Sequence, residues 1–131
     1  VFIGQLGISR DDPDYFTLYV ANHILGGSGF TSRIVDEVRE KRGLAYSAYS
    51  YFSPMAQQGP FTMGLQTKNE QVEEAIRVMM DTLTTFIKDG PKEKELDAAL
   101  SNITGSAALR TDSNKKIAEY VSMIGFYKLP L

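Results

Sequence analysis

The residues of this chain best suited to chemistry lie in one run, Arg39-Glu-Lys-Arg-Gly-Leu-Ala-Tyr46. A guanidinium is a fixed multi-donor cation, and a phenol donates one directional hydrogen bond. Both suit a peptide carbonyl, above all one that is gaining negative charge. The run holds the cations Arg39, Lys41 and Arg42 and the phenol Tyr46. A plainer reading stands beside this one. Basic residues in a last helical turn complement the helix dipole, and a strand tyrosine packs half-buried.

A helix, a turn and a strand must position these groups. Thr31 or Ser32 is placed to cap a short helix whose apolar residues Ile34, Val35 and Val38 fall on one face. Arg39, Lys41 and Arg42 crowd its last turn, and Gly43 supplies the left-handed residue that stops it. The chain then reverses into an extended, tyrosine-rich run, Leu44–Phe52. A cation on the closing turn and a phenol early in the strand can therefore lie close together. Strand alternation puts Tyr46 on the face opposite Tyr49 and Tyr51, which is compatible with Tyr46 facing a cleft.

The remaining elements surround that unit. Val1–Ile8 reads as a strand with glycine interruptions, and Asp12-Pro13 as a helix start. That helix runs to about Leu25, with Phe16, Val20, Ala21 and Ile24 spaced for burial, and Gly26-Gly27 ends it. Pro60 opens a strand to about Thr67, with Phe61, Met63 and Leu65 on one face, forming an antiparallel hairpin with Leu44–Phe52. Thr67-Lys-Asn-Glu70 reads as a capping box. The helix it introduces carries Val72, Ala75, Ile76, Met79, Met80, Leu83, Phe86 and Ile87 at helical spacing. Gly90 stops that helix and Pro91 starts another, using Leu96, Ala99, Leu100, Ile103 and Ala107. Asp112 or Ser113 caps a last helix through Ile117, Val121 and Ile124. With no repeat, linker or internal boundary, the predicted class is α+β, an antiparallel sheet with helices on one face.

Composition narrows the function. An apolar content of 43% and a charged content of 23% are ordinary for a soluble globular domain, and 131 residues suit one domain. A formal charge of −2, with Asp36, Glu37 and Glu40 interleaved among the basic residues near Arg39, argues against a nucleic-acid footprint. Cysteine is absent, which removes disulfides and thiolate metal sites. His23 is the sole histidine, so a zinc site of convergent nitrogens or a histidine-dependent triad has little to work with. His23 therefore reads as a helix-face or half-buried residue. Gly26-Gly-Ser-Gly29 joins two helices with no G-K-[ST] after it, and so reads as a flexible joint rather than a phosphate loop. The sequence shows no signal or transit peptide and no long apolar span. It also lacks an initiator methionine, begins as if inside a strand and ends at Leu-Pro-Leu, so a piece of a longer protein is expected.

A resemblance weighs these readings. The stretches that carry it begin with Gln5 through Gly7, Asn22-His-Ile-Leu-Gly-Gly27, Phe30-Thr-Ser-Arg33 and Arg39-Glu-Lys-Arg-Gly-Leu-Ala-Tyr46. They continue with Gly59-Pro-Phe61, Gln66-Thr67, Gly90 to Glu95-Leu96, and Phe126-Tyr-Lys-Leu-Pro130. In that order the chain resembles the C-terminal, non-zinc-binding part of the pitrilysin/insulinase zinc metallopeptidases (inverzincins) of the bacterial zinc-protease type. The resemblance implies an α/β sandwich, held here as a single partial domain over residues 1–131, incomplete at both ends. It also implies a heterodimeric or two-domain peptidase in which this chain is the non-catalytic, substrate-binding half. Zinc belongs to the H-x-x-E-H-bearing partner domain or subunit, and none is expected in this chain. In the family an Arg…Tyr pair seven positions apart contacts the peptide substrate, which selects Arg39 and Tyr46 rather than Arg42. The expected partners are thus a peptide and the H-x-x-E-H half, with no nucleic acid and no membrane segment. The bacterial character of the motifs implies a periplasmic home. The alternative within the family is a structural core-type relative with no role in proteolysis, which would need neither Arg39 nor Tyr46.

Overall fold

Alternating apolar residues in Pro60–Gln66 build the centre of the fold. The computed structural model describes residues 1–129, the side chains of Phe30 and Ala108 excepted, so Pro130 of the last motif lies outside the described residues. Among the described residues the strands β1 (Phe2–Leu6), β2 (Ser47–Phe52) and β3 (Pro60–Gln66) form one antiparallel sheet of order β1-β3-β2. The expected hairpin is the β2–β3 pair, with Ser50 opposite Met63 and Phe52 opposite Phe61. β1 lies on the other side of β3, placing Ile3 beside Met63. Phe61, Met63, Leu65 and Ala48 are buried on one face, where Ile24, Leu25, Ile34, Val38, Ala75 and Met79 join them in a single core. On the other face Phe2, Leu6 and Tyr51 are exposed, so the helices cover one side of the sheet.

The helices are α1 (Tyr15–Asn22), α2 (Arg33–Val35), α3 (Val72–Asp89), α4 (Glu93–Gly105) and α5 (Asn114–Tyr127). α1 starts three residues after Asp12, whose carboxylate accepts the Asp14 amide at 2.9 Å and whose carbonyl accepts that of Tyr15 at 3.0 Å. Two wide π-type turns extend the first two helices, His23–Gly27 after α1 and Asp36–Glu40 after α2. Ser32 holds the cap position of α2, but its hydroxyl donates back to the Gly29 carbonyl at 2.9 Å instead of accepting an amide. Thr67 does not build the expected capping box either. The turn at Asn69–Gln71 is entered through Lys68, and the Thr67 hydroxyl goes elsewhere. A half box is found one helix later, where the Glu95 carboxylate accepts the Lys92 amide at 2.7 Å, Lys92 having no side-chain acceptor to reciprocate. Ser113, not Asp112, caps α5, accepting the Lys116 amide.

Burial follows the predicted faces in part. Ala75, Met79 and Phe86 are buried in α3, yet Met80 and Ile87 are exposed, and Val78 and Thr82 take core positions instead. Thr82 is tolerated there because its hydroxyl donates to the Val78 carbonyl at 2.7 Å. Phe16, Leu96, Leu100, Ile117 and Val121, all read as inward residues, are exposed, and Ala107 lies in a short turn beyond α4. Helical spacing places such residues on one face; it does not supply a surface for that face to cover.

The joint at Gly26 is not a flexible one. Gly26 is buried, and a Cβ built on it would stand 2.5 Å from the Ser50 amide nitrogen and 2.3 Å from its hydroxyl. The helix backbone is pressed against β2 at that point. Asn22 fastens the contact, donating from Nδ2 to the Ser50 carbonyl at 3.1 Å and accepting the Ser50 hydroxyl at 2.7 Å.

Candidate functional site

The run Arg39–Tyr46 folds as its residue types require. Gly43 adopts φ 62°, the left-handed conformation expected of the helix stop. Its amide donates to the Arg39 carbonyl at 2.8 Å, and the Leu44 amide donates to the Val38 carbonyl at 2.9 Å. Leu44 and Ala45 are buried, while Tyr46, next in line, is 82% exposed. The Tyr46 amide donates to the Gln66 carbonyl at 2.8 Å, so its backbone is fixed even though its ring stands in solvent.

The three cations of the run fare differently. Lys41 donates to Glu37 at 2.6 Å and lies 2.8 Å from Asp36. Arg42 Nη1 donates to both the carbonyl and the carboxylate of Glu37. Those hydrogen bonds, Lys41 first and then Arg42, hold the Glu37 carboxyl below its ordinary range. Arg39 lies half-exposed on the wide turn Asp36–Glu40, with Nε 3.4 Å from the carboxylate of its neighbour Glu40. Arg42 is tied to Glu37 at its helix end and Arg39 lies beside Glu40, both part-exposed, while Tyr46 stands exposed just before β2.

Two stretches picked out in the sequence without any assigned role turn out to meet. Arg33 grips Glu95 with two hydrogen bonds, Nε at 2.7 Å and Nη2 at 2.6 Å, and Nη2 also donates to the Gly90 carbonyl at 3.0 Å. Its guanidinium sits 4.9 Å from the centroid of the Phe86 ring. The Arg33 hydrogen bonds, with the Lys92 amide in support, pull the Glu95 carboxyl down to about 2. This latch ties α2 to the α3–α4 corner. It borders a cleft of about 690 Å³ lined by Arg33, Glu37, Arg42, Arg77, Asp81 and Glu95 among others. Arg33–Glu95, Arg42–Glu37 and Arg77–Asp81 are ion-paired across that lining, so it offers no field of one sign, and neither Arg39 nor Tyr46 lines it.

Among the described residues no three of His, Cys, Asp and Glu converge in a way that could hold a metal. His23 lies half-buried at the end of α1; burial holds its imidazole below the ordinary value, opposed by a hydrogen bond with Asn102 and reinforced by the charge of Arg110. Among the described residues no helix is long and apolar enough to cross a membrane.

The profile of a family described as "Peptidase M16 inactive domain" matches residues 1–103. An uncharacterized zinc protease of Streptomyces coelicolor is 38% identical over 109 residues, covering 83% of this chain and 24% of that protein. A Helicobacter pylori protein named as a non-peptidase homolog is 38% identical over 93 residues, covering 69% of this chain and 21% of its own length. The crystal structure of a peptidase M16 inactive domain from Pseudomonas fluorescens superposes with a TM-score of 0.91 at 47% identity, over 99% of this chain and 31% of that one. The chain thus spans less than a third of the length of each of these proteins.

Proposed function

This chain belongs to the peptidase M16 inactive-domain family, and from that premise we propose that it forms one wall of a peptide cleft facing a zinc-bearing M16 half. Arg39 grips a substrate carbonyl, and Tyr46 donates a hydrogen bond to the oxygen on which charge develops during attack. Zinc, held by the H-x-x-E-H residues of the other half, would supply the activated water; the residues of this chain bind and orient the peptide. The observation that carries the reading is the exposure of Tyr46 on an immobilised backbone. Leu44 and Ala45 before it are buried, its amide is bonded to Gln66, and its ring is 82% exposed. A tyrosine kept for packing alone would be buried as its two predecessors are.

The test is made in the assembled complex, purified with its H-x-x-E-H partner and assayed on a fluorogenic peptide. Tyr46→Phe keeps the ring and removes the donor, and is expected to lower kcat by on the order of 10²–10³. Arg39→Ala is expected to raise KM more than it lowers kcat, because a carbonyl grip helps ground state and transition state alike. Lys115→Ala, at an exposed site on α5, is the charge control. Unchanged kinetics in both variants would overturn the reading.

The rival is a structural relative without peptide chemistry, and the Helicobacter pylori protein named as a non-peptidase homolog favours keeping it in view. Under that reading the complex assembles, but Arg39 and Tyr46 affect neither binding nor turnover.

A further inference from the structure

β3 ends at Gln66 and β2 begins at Ser47, so the segment Leu44–Tyr46 lies just beyond the regular ladder. Backbone groups there need partners that the ladder does not provide. The Leu44 amide has the Val38 carbonyl at 2.9 Å. The Leu44 carbonyl has a side chain, the Thr67 hydroxyl, which donates to it at 2.5 Å. The same hydroxyl lies 3.4 Å from the Lys68 carbonyl, a much longer contact, so Thr67 directs its proton at Leu44. One residue back along β3, the Gln66 carbonyl accepts the Tyr46 amide at 2.8 Å. Its side-chain oxygen accepts the Ser47 hydroxyl at 3.3 Å. Gln66 and Thr67 thus grip Leu44, Tyr46 and Ser47 from the far side of the hairpin.

We propose that Thr67 is a positioning residue for Tyr46, fixing through the Leu44 carbonyl the backbone from which the phenol projects. This rests on the reading that Tyr46 contacts the peptide. Thr67 sits where a helix cap is expected, after a strand and before a helical turn, yet it makes no capping bond. Its hydroxyl is spent instead on the segment that carries Tyr46. The geometry suits the task. Leu44 is buried and bonded through both its amide and its carbonyl, which leaves the following residues little freedom. A hydrogen-bonding group acts on transition-state charge in proportion to how little it must reorganise, so immobilising the base of the Tyr46 side chain serves the donor at its tip.

Thr67→Val removes the hydroxyl at nearly constant shape, and Thr67→Ser keeps it. Two readouts are taken on the assembled peptidase complex: hydrogen exchange at the Tyr46 amide, and kcat on a fluorogenic peptide. Thr67→Val is expected to speed Tyr46 exchange roughly tenfold, as loss of one hydrogen bond near a local opening would do. It is expected to lower kcat roughly tenfold in the wild-type background and hardly at all in Tyr46→Phe, because both changes act through one phenol. Thr67→Ser restores both readouts. Unchanged exchange at Tyr46 in Thr67→Val overturns the proposal. So does faster exchange with unchanged kcat in a complex that Tyr46→Phe impairs, or an equal loss in both backgrounds, which is what general destabilisation gives. If Tyr46→Phe itself leaves turnover intact, the contact between Tyr46 and peptide is the step that has failed, and the positioning role goes with it.

Discussion

Gly26→Ala tests the most crowded point of the fold. A methyl at Gly26 would stand 2.5 Å from the Ser50 amide nitrogen, 2.3 Å from its hydroxyl oxygen and 2.9 Å from its Cβ. The hydroxyl could rotate away, but the nitrogen belongs to β2, which pairs with β3 along its length. Relief therefore requires the turn His23–Gly27 to move off the strand. That movement would strain the Asn22–Ser50 bonds of 3.1 and 2.7 Å and loosen the packing of Ile24 and Leu25. Overpacking in a dense core costs about 1–3 kcal/mol, and weakening one or two hydrogen bonds adds about 1 kcal/mol each. A total of roughly 2–5 kcal/mol is expected, read as a lower midpoint in chemical denaturation followed by circular dichroism. Ser50→Gly in the Gly26→Ala background removes the hydroxyl and Cβ contacts but not the amide, and should recover only part of the loss. A Gly26→Ala variant within about 0.5 kcal/mol of wild type, the range of a harmless surface change, would refute the close-approach argument.

Further expectations concern the latch, the left-handed turn and metal content. The Arg33–Glu95 pair is 19% and 29% exposed, so it is neither a surface pair nor fully buried, and Glu95→Gln is expected to cost about 1.5–3 kcal/mol at neutral pH. The Glu95 carboxyl is depressed from 4.5 to about 2, so its contribution is complete above about 4.5 and is lost as pH falls through about 2. The stability gap between wild type and Glu95→Gln should therefore close across that acid window; a gap independent of pH would show that the charge is not the source. Gly43 has φ 62° and no atom within 4 Å of a built Cβ, so Gly43→Ala should cost about 1–2 kcal/mol through backbone conformation alone. Gly43→Asn should cost less; equal costs would argue against a conformational origin. After dialysis against a weak chelator the chain should retain no stoichiometric zinc by elemental analysis, and one tightly held zinc per chain would contradict the reading of its side chains.

Periodic signals reached the folded state, and signals that depend on a distant partner did not. The alternation of Phe61, Met63 and Leu65 located β3 and its inward face, because a strand's period is a property of its own backbone. Gly43 was legible for a similar reason: few other residues adopt positive φ without strain. Thr67 misled, since a threonine three residues before a glutamate satisfies the capping pattern, while the competing acceptor, Leu44, is brought to it by the hairpin. The Arg33–Glu95 latch was invisible for the same cause: nothing local to either residue says that they meet. Phe16, Ile87 and Val121 were spaced like core residues but are exposed, because spacing fixes a helix face and not what lies against it.

The seven-residue interval from Arg39 to Tyr46 has a physical composition that weighs on its function. Lys41 and Arg42 are accounted for by Asp36 and Glu37, which they neutralise at the helix end. Gly43 is accounted for by its positive φ, and Leu44 and Ala45 by burial. Each of these residues has a local reason to be what it is, and together they fix how far the chain travels between helix and strand. The ring of Tyr46 has no such reason. Packing does not employ it, while the backbone beneath it is bonded to Gln66 and braced through Leu44 by Thr67. Immobilising a side chain's base while leaving its tip in solvent brings little to stability, since an exposed phenol contributes little buried area. Such an arrangement is useful when something outside the chain must find the hydroxyl in a fixed place, and the peptide cleft proposed above would meet that need, since a peptide carbonyl suits a phenol donor.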